Sequence, residues 1–224
     1  MTVDWDSLIG HLVHDVRALA RKGMSSAQLL ERALGPGIAP EAAMLLRSVI
    51  ESQRDLNLLI TRIGALAEAE RPPTGNGPDD FLDLDYIVLA IKVQWKDALR
   101  DAAGELAISE LPVCKVSARL QAVISELVSN SINYRHADRP LRIGIDGEAE
   151  NAMLRISVTD NGPAWNPAYG DKLFQPLERL EVRKGGCGLG LAIARASAEA
   201  VGGRISGQPE ASGARFDIEM PIVS

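Results

Sequence analysis

Polar side chains at helical spacing form the first of three clusters that could bind phosphate, a metal ion or a base. Glu126, Asn130 and Asn133 recur every three or four residues, so they share one face of a predicted helix. Their carboxylate and amide oxygens are hard ligands of the kind that Mg²⁺ accepts. Alone, this pattern is more typical of a solvated helix face, so its meaning depends on the other two clusters.

An Asp-Asn-Gly turn at the end of a predicted strand forms the second cluster. Asp160 could accept a hydrogen bond from an exocyclic amine such as that of adenine. Gly162 lets the backbone turn sharply away from the strand. By itself this sequence is an ordinary turn, since Asp, Asn and Gly are the residues that turns favour.

A glycine-rich run that leads directly into a predicted helix forms the third cluster. Its sequence is Gly185-Gly186-Cys187-Gly188-Leu189-Gly190. Glycines allow backbone N–H groups to approach a phosphate at a helix N-terminus, where the helix dipole favours anions. The glycine spacing does not match the dinucleotide-binding fingerprint, and the chain contains no P-loop motif.

Two long helical patterns precede these clusters. The first helix is predicted from Asp4 to about Leu34, with Gly35-Pro36-Gly37 as its end, and the second from Pro40 to about Glu70. The first helix has its apolar stripe at Trp5, Leu8, Leu12, Val16 and Leu19. Gly23, followed by Ser25 and Ser26, could bend or break it, and the pattern leaves both alternatives open.

The second helix carries two apolar lanes. The first lane contains Ala42, Leu46, Val49, Gln53, Leu56, Ile60, Ile63 and Ala67, and the second contains Leu45, Leu59 and Leu66. Because a lone hairpin cannot cover two lanes, we expect two hairpins to pair into a dimeric four-helix bundle. The alternative is that the lanes pack on the rest of the same chain.

A stretch rich in proline and glycine, residues 71–79, predicts a linker between a helical hairpin at 1–70 and a second domain at 80–224. Helices and short strands in mixed order favour an α+β sandwich for the second domain. The predicted helices are 86–103, 117–134 and 189–201, and the predicted strands lie near 106 and 113 and at 141–146, 153–159, 204–207 and 215–221.

Composition excludes several classes of protein. The net charge of −6 argues against nucleic-acid binding, which needs a basic excess on some face. The chain has no apolar run near the ~20 residues of a membrane span and no visible secretory signal. Two cysteines are too few for a disulfide framework. We therefore expect a cytoplasmic protein that neither inserts into membranes nor binds nucleic acid.

The order of the three clusters resembles the ATP-binding domain of sensor histidine kinases, of the superfamily that includes gyrase, Hsp90 and MutL. The resemblance covers about residues 80–224 and implies an α+β sandwich of the Bergerat type. Lys172-Leu173-Phe174-Gln175-Pro176 is similar to the phenylalanine box of the family's nucleotide lid. His14-Asp15-Val16-Arg17 is similar to the H box of the dimerisation and histidine-phosphotransfer hairpin, and residues 134–140 have a faint phytochrome-type character.

Helical geometry is consistent with a phosphoacceptor role for one of the three histidines. At 100° per residue, His14 lies about 200° round the helix from Leu12 and therefore points away from the apolar stripe. His11 flanks that stripe and is interpreted as structural. His136 follows the Asn130 cluster and is interpreted as a surface or lid contact.

The resemblance implies a role for each matching residue. His14 would attack the γ-phosphate of ATP, Asp15 would hold the proton on its other ring nitrogen, and Arg17 would position the hairpin or neutralise phosphate. Asn130 would bind Mg²⁺ and phosphate, with Glu126 organising the site and Asn133 contacting phosphate. Asp160 would recognise adenine in a pocket shaped by Gly162. The lid and phosphate loop would contribute Phe174, Gly186, Gly188, Leu189 and Gly190.

Three positions depart from the family's pattern. Leu19 stands where the H box usually ends in proline, and Ala164 replaces the second glycine after Asp160. Ala18 stands where bifunctional members carry Thr or Asn to position a water, so we expect weak or absent phosphatase activity.

The resemblance implies a homodimeric histidine kinase that uses ATP and Mg²⁺ and transfers phosphate to the receiver domain of a response regulator. Only about thirteen residues precede His14, so we expect the signal to come from a separate sensor protein, unless the chain is a fragment. The alternative function is a phosphorelay histidine phosphotransferase with a degenerate nucleotide domain. A serine kinase of the anti-sigma type would leave the His14 hairpin unexplained.

Overall fold

The computed structural model describes residues 5–35, 39–73, 80–178 and 187–223, and the chain divides into two compact units after residue 68. The first unit is a pair of long helices and the second is a mixed α/β unit. This arrangement confirms the predicted fold class of a helical N-terminal region followed by an α+β sandwich. Residues 74–79 of the predicted linker lie outside the described residues, so the linker's bounds stay a prediction.

The first unit consists of α1 (Trp5–Leu34) and α2 (Pro40–Glu70). Gly23 does not interrupt α1, which is continuous through this position. A Cβ atom built at Gly23 would lie 2.8 Å from Oε1 of Gln53. The glycine therefore leaves space for the end of the Gln53 side chain. The apolar contacts of the hairpin are made by Met24, Ala27, Leu46 and Ile50.

The two predicted lanes of α2 divide differently in the structure. Leu46, Ile50 and Ile60 are buried within the unit. Leu45, Val49, Leu56 and Ile63, which we call the exposed seam, are between 37% and 65% exposed. The first predicted lane wrongly combined members of both groups. Members of the exposed seam recur at intervals of four and seven residues, which is the heptad spacing of helices that pack on a partner.

The second unit is built on a seven-stranded sheet with the order β1-β3-β7-β5-β4-β2, and β6 pairs with β7. The strands are β1 (Phe81–Asp83), β2 (Glu105–Ile108), β3 (Lys115–Ser117), β4 (Arg142–Glu150), β5 (Met153–Asp160), β6 (Arg204–Glu210) and β7 (Gly213–Val223). All pairs are antiparallel except β2 with β4. The short β1 was not predicted from the sequence.

Three helices pack with the sheet around a single core: α3 (Leu84–Asp101), α4 (Arg119–Tyr134) and α5 (Gly190–Glu199). Alternate residues of β5, namely Leu154, Ile156 and Val158, point into this core. Asp160, the last residue of the strand, continues the same alternation. A 3₁₀ segment, Pro167–Phe174, precedes α5 and was also not predicted.

Candidate nucleotide-binding site

The centre of the candidate site is the carboxylate of Asp160. One of its oxygens, Oδ1, accepts a hydrogen bond of 2.8 Å from the backbone N–H of Gly162. The other, Oδ2, lies 2.9 Å from the hydroxyl of Ser131 on α4. The backbone of Asp160 pairs with Ile143 of β4 and with Ala214 of β7. The carboxylate is therefore fixed by both neighbouring strands and by α4.

Burial raises the pKa of Asp160 above its ordinary value, and Glu210 adds to this effect through its negative charge. Hydrogen bonds from the N–H of Gly162, the hydroxyl of Ser131 and the N–H of Ala214 act in the opposite direction, because they stabilise the ionised form. A half-buried carboxylate with three donors suits a role as hydrogen-bond acceptor for a ligand.

Two glycines leave space for Asp160. A Cβ atom at Gly162 would lie 2.9 Å from Oδ1 of Asp160. A Cβ atom at Gly213 would lie 1.7 Å from the backbone oxygen of Asp160, a distance that no side chain tolerates. The start of β7 can therefore lie against the end of β5 only because residue 213 has no side chain.

Asn161, the middle residue of the predicted turn, binds the preceding loop. Its side chain donates to the carbonyl oxygen of Pro140 at 2.9 Å and accepts from the N–H of Arg142 at 2.8 Å. The guanidinium of Arg139 donates to the carbonyl oxygens of Asn161 and Gly162. The sequence analysis assigned no role to Asn161 or Arg139, which together hold the turn that carries Asp160.

The polar face of α4 carries Glu126, Asn130 and Asn133. The first two are half-buried, and Asn133 is exposed with its amide 3.4 Å from the hydroxyl of Ser129. One carboxylate and two amides would suit a Mg²⁺ ion that is held mainly by phosphate oxygens and water. The described residues contain no group of three or more His, Cys, Asp or Glu side chains able to form an all-protein metal site.

The glycine-rich run ends at the N-terminus of α5. Gly188 has a φ of 70°, in the left-handed region that favours glycine, and its carbonyl oxygen accepts from the N–H of Leu177 at 2.8 Å. Leu189 is buried and Gly190 is the first residue of the helix. Gly186 lies outside the described residues. Free N–H groups at this helix start could bind an anion.

Phe174 is buried rather than open to the site. Its ring lies edge-on to Phe216, with centroids 6.3 Å apart, and Trp165 stacks on Phe216 at 5.4 Å. The guanidinium of Arg195 lies 4.3 Å from the centroid of the Phe174 ring and pairs with Asp171 at 3.1 Å. These contacts attach the 3₁₀ segment to the sheet and to α5.

The remaining candidates belong to the first unit. His14 lies in α1, and its side chain is outside the described residues. Asp15 is exposed. Arg17 is half-buried, and its Nε atom is shielded from solvent without a hydrogen-bond partner in the part of the chain that the structure describes. The structure thus gathers Asp160 and Gly162 beside α4, and His14, Asp15 and Arg17 lie on one helix of the other unit.

Ser131 is the residue of this site that the sequence analysis missed. It follows Leu120, Ile124 and Leu127 on the buried stripe of α4 and is only 3% exposed. The signal was present in the sequence, because a serine at an apolar position of a helix needs a hydrogen-bond partner in the core.

Comparison with known proteins gives the class of the second unit. Residues 115–224 match the family model described as histidine kinase-, DNA gyrase B- and HSP90-like ATPase. The alginate biosynthesis sensor protein KinB of Pseudomonas aeruginosa is 25% identical over 217 residues, which are 93% of this chain and 36% of KinB. The chain spans less than half the length of the curated relatives that it matches.

Solved structures give the same fold. Full-length ShkA in complex with AMPPNP has a TM-score of 0.75 at 21% identity, covering 97% of this chain and 46% of ShkA. The histidine kinase ThkA in complex with the response regulator protein TrrA has a TM-score of 0.63 at 20% identity, covering 97% of this chain and 63% of that one.

Residues 115–224 are therefore similar to the histidine kinase-, gyrase B- and HSP90-like ATPases. Together with sensor proteins that match nearly the whole chain, this similarity supports a histidine kinase core with an ATP-binding domain, as the sequence motifs predicted. None of the helices in the described part of the chain combines the length and apolar character that crossing a membrane requires.

Replacing Asp160 with asparagine is expected to weaken ATP binding by about 10- to 100-fold, because a hydrogen bond to a charged group contributes about 1.5–3 kcal/mol. Isothermal titration with a non-hydrolysable ATP analogue measures the change. Asp171→Asn is the matched control, because it makes the same change from carboxylate to amide at an exposed residue that pairs with Arg195. Equal affinities of the Asp160 variant and the unsubstituted protein would contradict the role of Asp160.

Proposed function

We propose that this chain is the core of a two-component histidine kinase, which phosphorylates His14 from ATP and passes the phosphoryl group to an aspartate of a response regulator. One observation carries the proposal. The firmly held Asp160 carboxylate lies in a domain of an ATPase family, on the same chain as a helical hairpin that contains His14-Asp15-Val16-Arg17.

Each part of the nucleotide would have its own partners. Asp160 accepts a hydrogen bond from the exocyclic amine of adenine, next to the space left by Gly162. The N–H groups at the start of α5 bind phosphate, with Gly186, Gly188, Leu189 and Gly190 in the loop before it. Asn130, with Glu126 and Asn133 nearby, would hold Mg²⁺ through its amide oxygen, and the bound ion would supply positive charge next to the phosphates. Phe174 keeps the 3₁₀ segment attached to the sheet and to α5.

The first chemical step forms a phosphorus–nitrogen bond. A neutral ring nitrogen of His14 attacks the γ-phosphorus, the bond to the β–γ bridging oxygen breaks, and ADP leaves with the electron pair. Asp15 accepts a hydrogen bond from the other ring nitrogen and stabilises the positive charge that develops on the imidazole. In the second step an aspartate carboxylate of the receiver domain attacks phosphorus and releases His14 as a neutral imidazole.

The proposed partners follow from the hairpin. The exposed seam of α2 gives each chain an apolar face to bury against a second copy, as a homodimer. A response regulator is the proposed acceptor, supported by the ThkA–TrrA complex of similar fold. A separate sensor protein would supply the signal, and all these partners meet in the cytoplasm.

The alternative is a phosphorelay histidine phosphotransferase with a degenerate nucleotide domain. The firm support of Asp160 by Ser131, Gly162 and Gly213 argues against it, because a docking scaffold does not require a positioned acceptor.

Incubation with γ-labelled ATP and Mg²⁺, followed by addition of a receiver domain, separates the two functions. A kinase acquires label that is stable in base and labile in acid, and then loses it to the receiver. A phosphotransferase stays unlabelled with ATP and acquires label on His14 only from a phosphorylated receiver. The Asn130→Ala variant should lose labelling from ATP and keep its acceptance of phosphate from a receiver.

Ala18 is expected to leave the protein with little phosphatase activity, because its methyl group cannot orient a water toward a phosphorylated receiver. The decay of a phosphorylated receiver should be accelerated by less than about twofold, while Ala18→Asn, which restores a polar side chain, should accelerate it further. Rapid decay with the unsubstituted protein would show that another residue positions the water.

A further inference from the structure

The hydroxyl of Ser131 lies between two possible acceptors. It is 2.9 Å from Oδ2 of Asp160 and 3.0 Å from the carbonyl oxygen of Leu127, one turn earlier in α4. A serine hydroxyl has one proton, so it can donate to only one of them. A hydrogen bond to an ionised carboxylate is roughly twice as strong as one to a neutral carbonyl. The hydroxyl therefore donates to Asp160 whenever that side chain is charged.

From this geometry we infer that Ser131 is a positioning residue for base recognition, whose hydroxyl orients the Asp160 carboxylate to accept from an amino group on the purine ring. The inference rests on the proposed binding of ATP at this site. With Gly162 donating to Oδ1 and Ser131 donating to Oδ2, rotation of the carboxylate is restrained at both oxygens. A lone pair of the carboxylate that neither donor uses is then already oriented toward the ligand, which lowers the entropic cost of binding.

The charge of the carboxylate decides which base it accepts. An ionised carboxylate only accepts hydrogen bonds, so it suits the 6-amino group of adenine and repels the 6-oxo group of hypoxanthine. A protonated carboxyl can donate, and this preference is lost. Every donor to the ionised form therefore also supports discrimination between the two bases.

Several elements act on this charge. Ser131 of α4, the N–H of Gly162 and the N–H of Ala214 on β7 stabilise the carboxylate, whereas burial and Glu210 of β6 raise the pKa of Asp160. The guanidinium of Arg139 is directed at the carbonyl oxygens of Asn161 and Gly162.

Removing the Ser131 hydroxyl raises the pKa of Asp160 further, because one donor to the ionised carboxylate is lost. ATP binding is lost as pH falls through this pKa, so the loss should begin at a higher pH in the variant.

The test compares ATP and ITP, which differ at position 6 of the base, in titrations of the full chain from about pH 4 to pH 8, a range that begins at the ordinary pKa of an aspartate. Ser131→Ala removes the hydroxyl, and Ser131→Cys replaces it with a weak donor of similar size. Ser197→Ala is the matched control, because Ser197 on α5 is also 3% exposed and is not a partner of Asp160 in the described structure. Thermal unfolding of each variant reports whether the fold is retained.

The expected result is a fall of about tenfold in the ratio of ATP to ITP affinity for both Ser131 variants, as one hydrogen bond to a charged group would give. The acid limb of ATP binding should move to higher pH in these variants alone. An unchanged ratio and pH profile, in protein that binds ATP, would overturn the inference while the proposed function stands. If the unsubstituted protein binds neither nucleotide, the proposed function is overturned, and the inference with it.

Discussion

Replacing His14 with glutamine is expected to abolish acid-labile labelling from ATP while leaving ATP affinity within about twofold, because the amide of glutamine is not a nucleophile toward phosphorus. In the proposed function, nucleotide binding depends on residues of the second unit, such as Asp160, which this change does not touch. If the variant loses labelling and keeps its ATP affinity, it has lost the phosphoacceptor and not the nucleotide site. Autoradiography after acid and base treatment, with titration of an ATP analogue, measures both.

His11→Gln is the matched control for this prediction, since it removes an imidazole from the same helix one turn earlier. It should retain labelling. Asp15→Asn should keep the label but slow its appearance by about 100-fold, the lower range for loss of a positioned acid–base partner. Acid-labile label that persists in the His14 variant and disappears in the His11 variant would reassign the phosphoacceptor.

Replacing Val49 with glutamate is expected to separate the proposed dimer. A twofold dimer buries the exposed seam of both chains. Because Val49 is 48% exposed, one substitution removes the burial of about half of two valine side chains, about 0.7–1.5 kcal/mol each. The loss of about 1.5–3 kcal/mol corresponds to a dissociation constant that is higher by about one to two powers of ten. The charge added at a buried position increases this effect.

Thr61→Glu is the matched control for Val49→Glu. Threonine has the shape of valine, Thr61 is exposed on the same helix, and it lies about 120° round the helix from Val49, away from the exposed seam. Sedimentation equilibrium over a range of concentrations should give a monomer for the Val49 variant and a dimer for the control. A dimer of unchanged affinity in the Val49 variant would place the interface elsewhere on the chain.

Most helices and strands of the second unit could be predicted from the sequence, because their apolar residues keep one period over many positions. β5 and α4 are examples, with alternation in the first and three-four spacing in the second. β1 and the 3₁₀ segment could not be predicted in this way. β1, with three residues, is too short to show a period, and the 3₁₀ segment is interrupted by a non-helical residue, Gly170. Each is stabilised by neighbours that are distant in sequence.

The assignment of α2 residues to lanes was less accurate. Both sides of this helix carry leucine, isoleucine and valine, so hydrophobicity does not distinguish positions buried within the hairpin from positions open to a partner. The distinction depends on which positions of α2 pack against α1, as Gln53 does where its side chain lies against Gly23. A contact between two residues thirty positions apart has no local signature in the sequence.

The candidate site was predictable where it depended on residue type and not where it depended on packing. Asp160 and Gly162 were identified from a short motif, but their support by Ser131 and Asn161 was not. Both supporting residues act through hydrogen bonds to other segments of the chain. Phe174 was predicted as part of the nucleotide site, and its ring instead lies in the core against Phe216 and beneath Arg195.

Asp160 ends a strand that is paired on both edges, and this has a kinetic consequence. Backbone amides in such a strand exchange with solvent only when the sheet opens as a whole, whereas a helix terminus frays with little free energy. The proposed base end of the site, at Asp160, would therefore share the lifetime of the domain, whereas the proposed phosphate end, at Gly190, would open within the native state. We therefore expect the phosphates of the product ADP to leave this site first and its base to leave last.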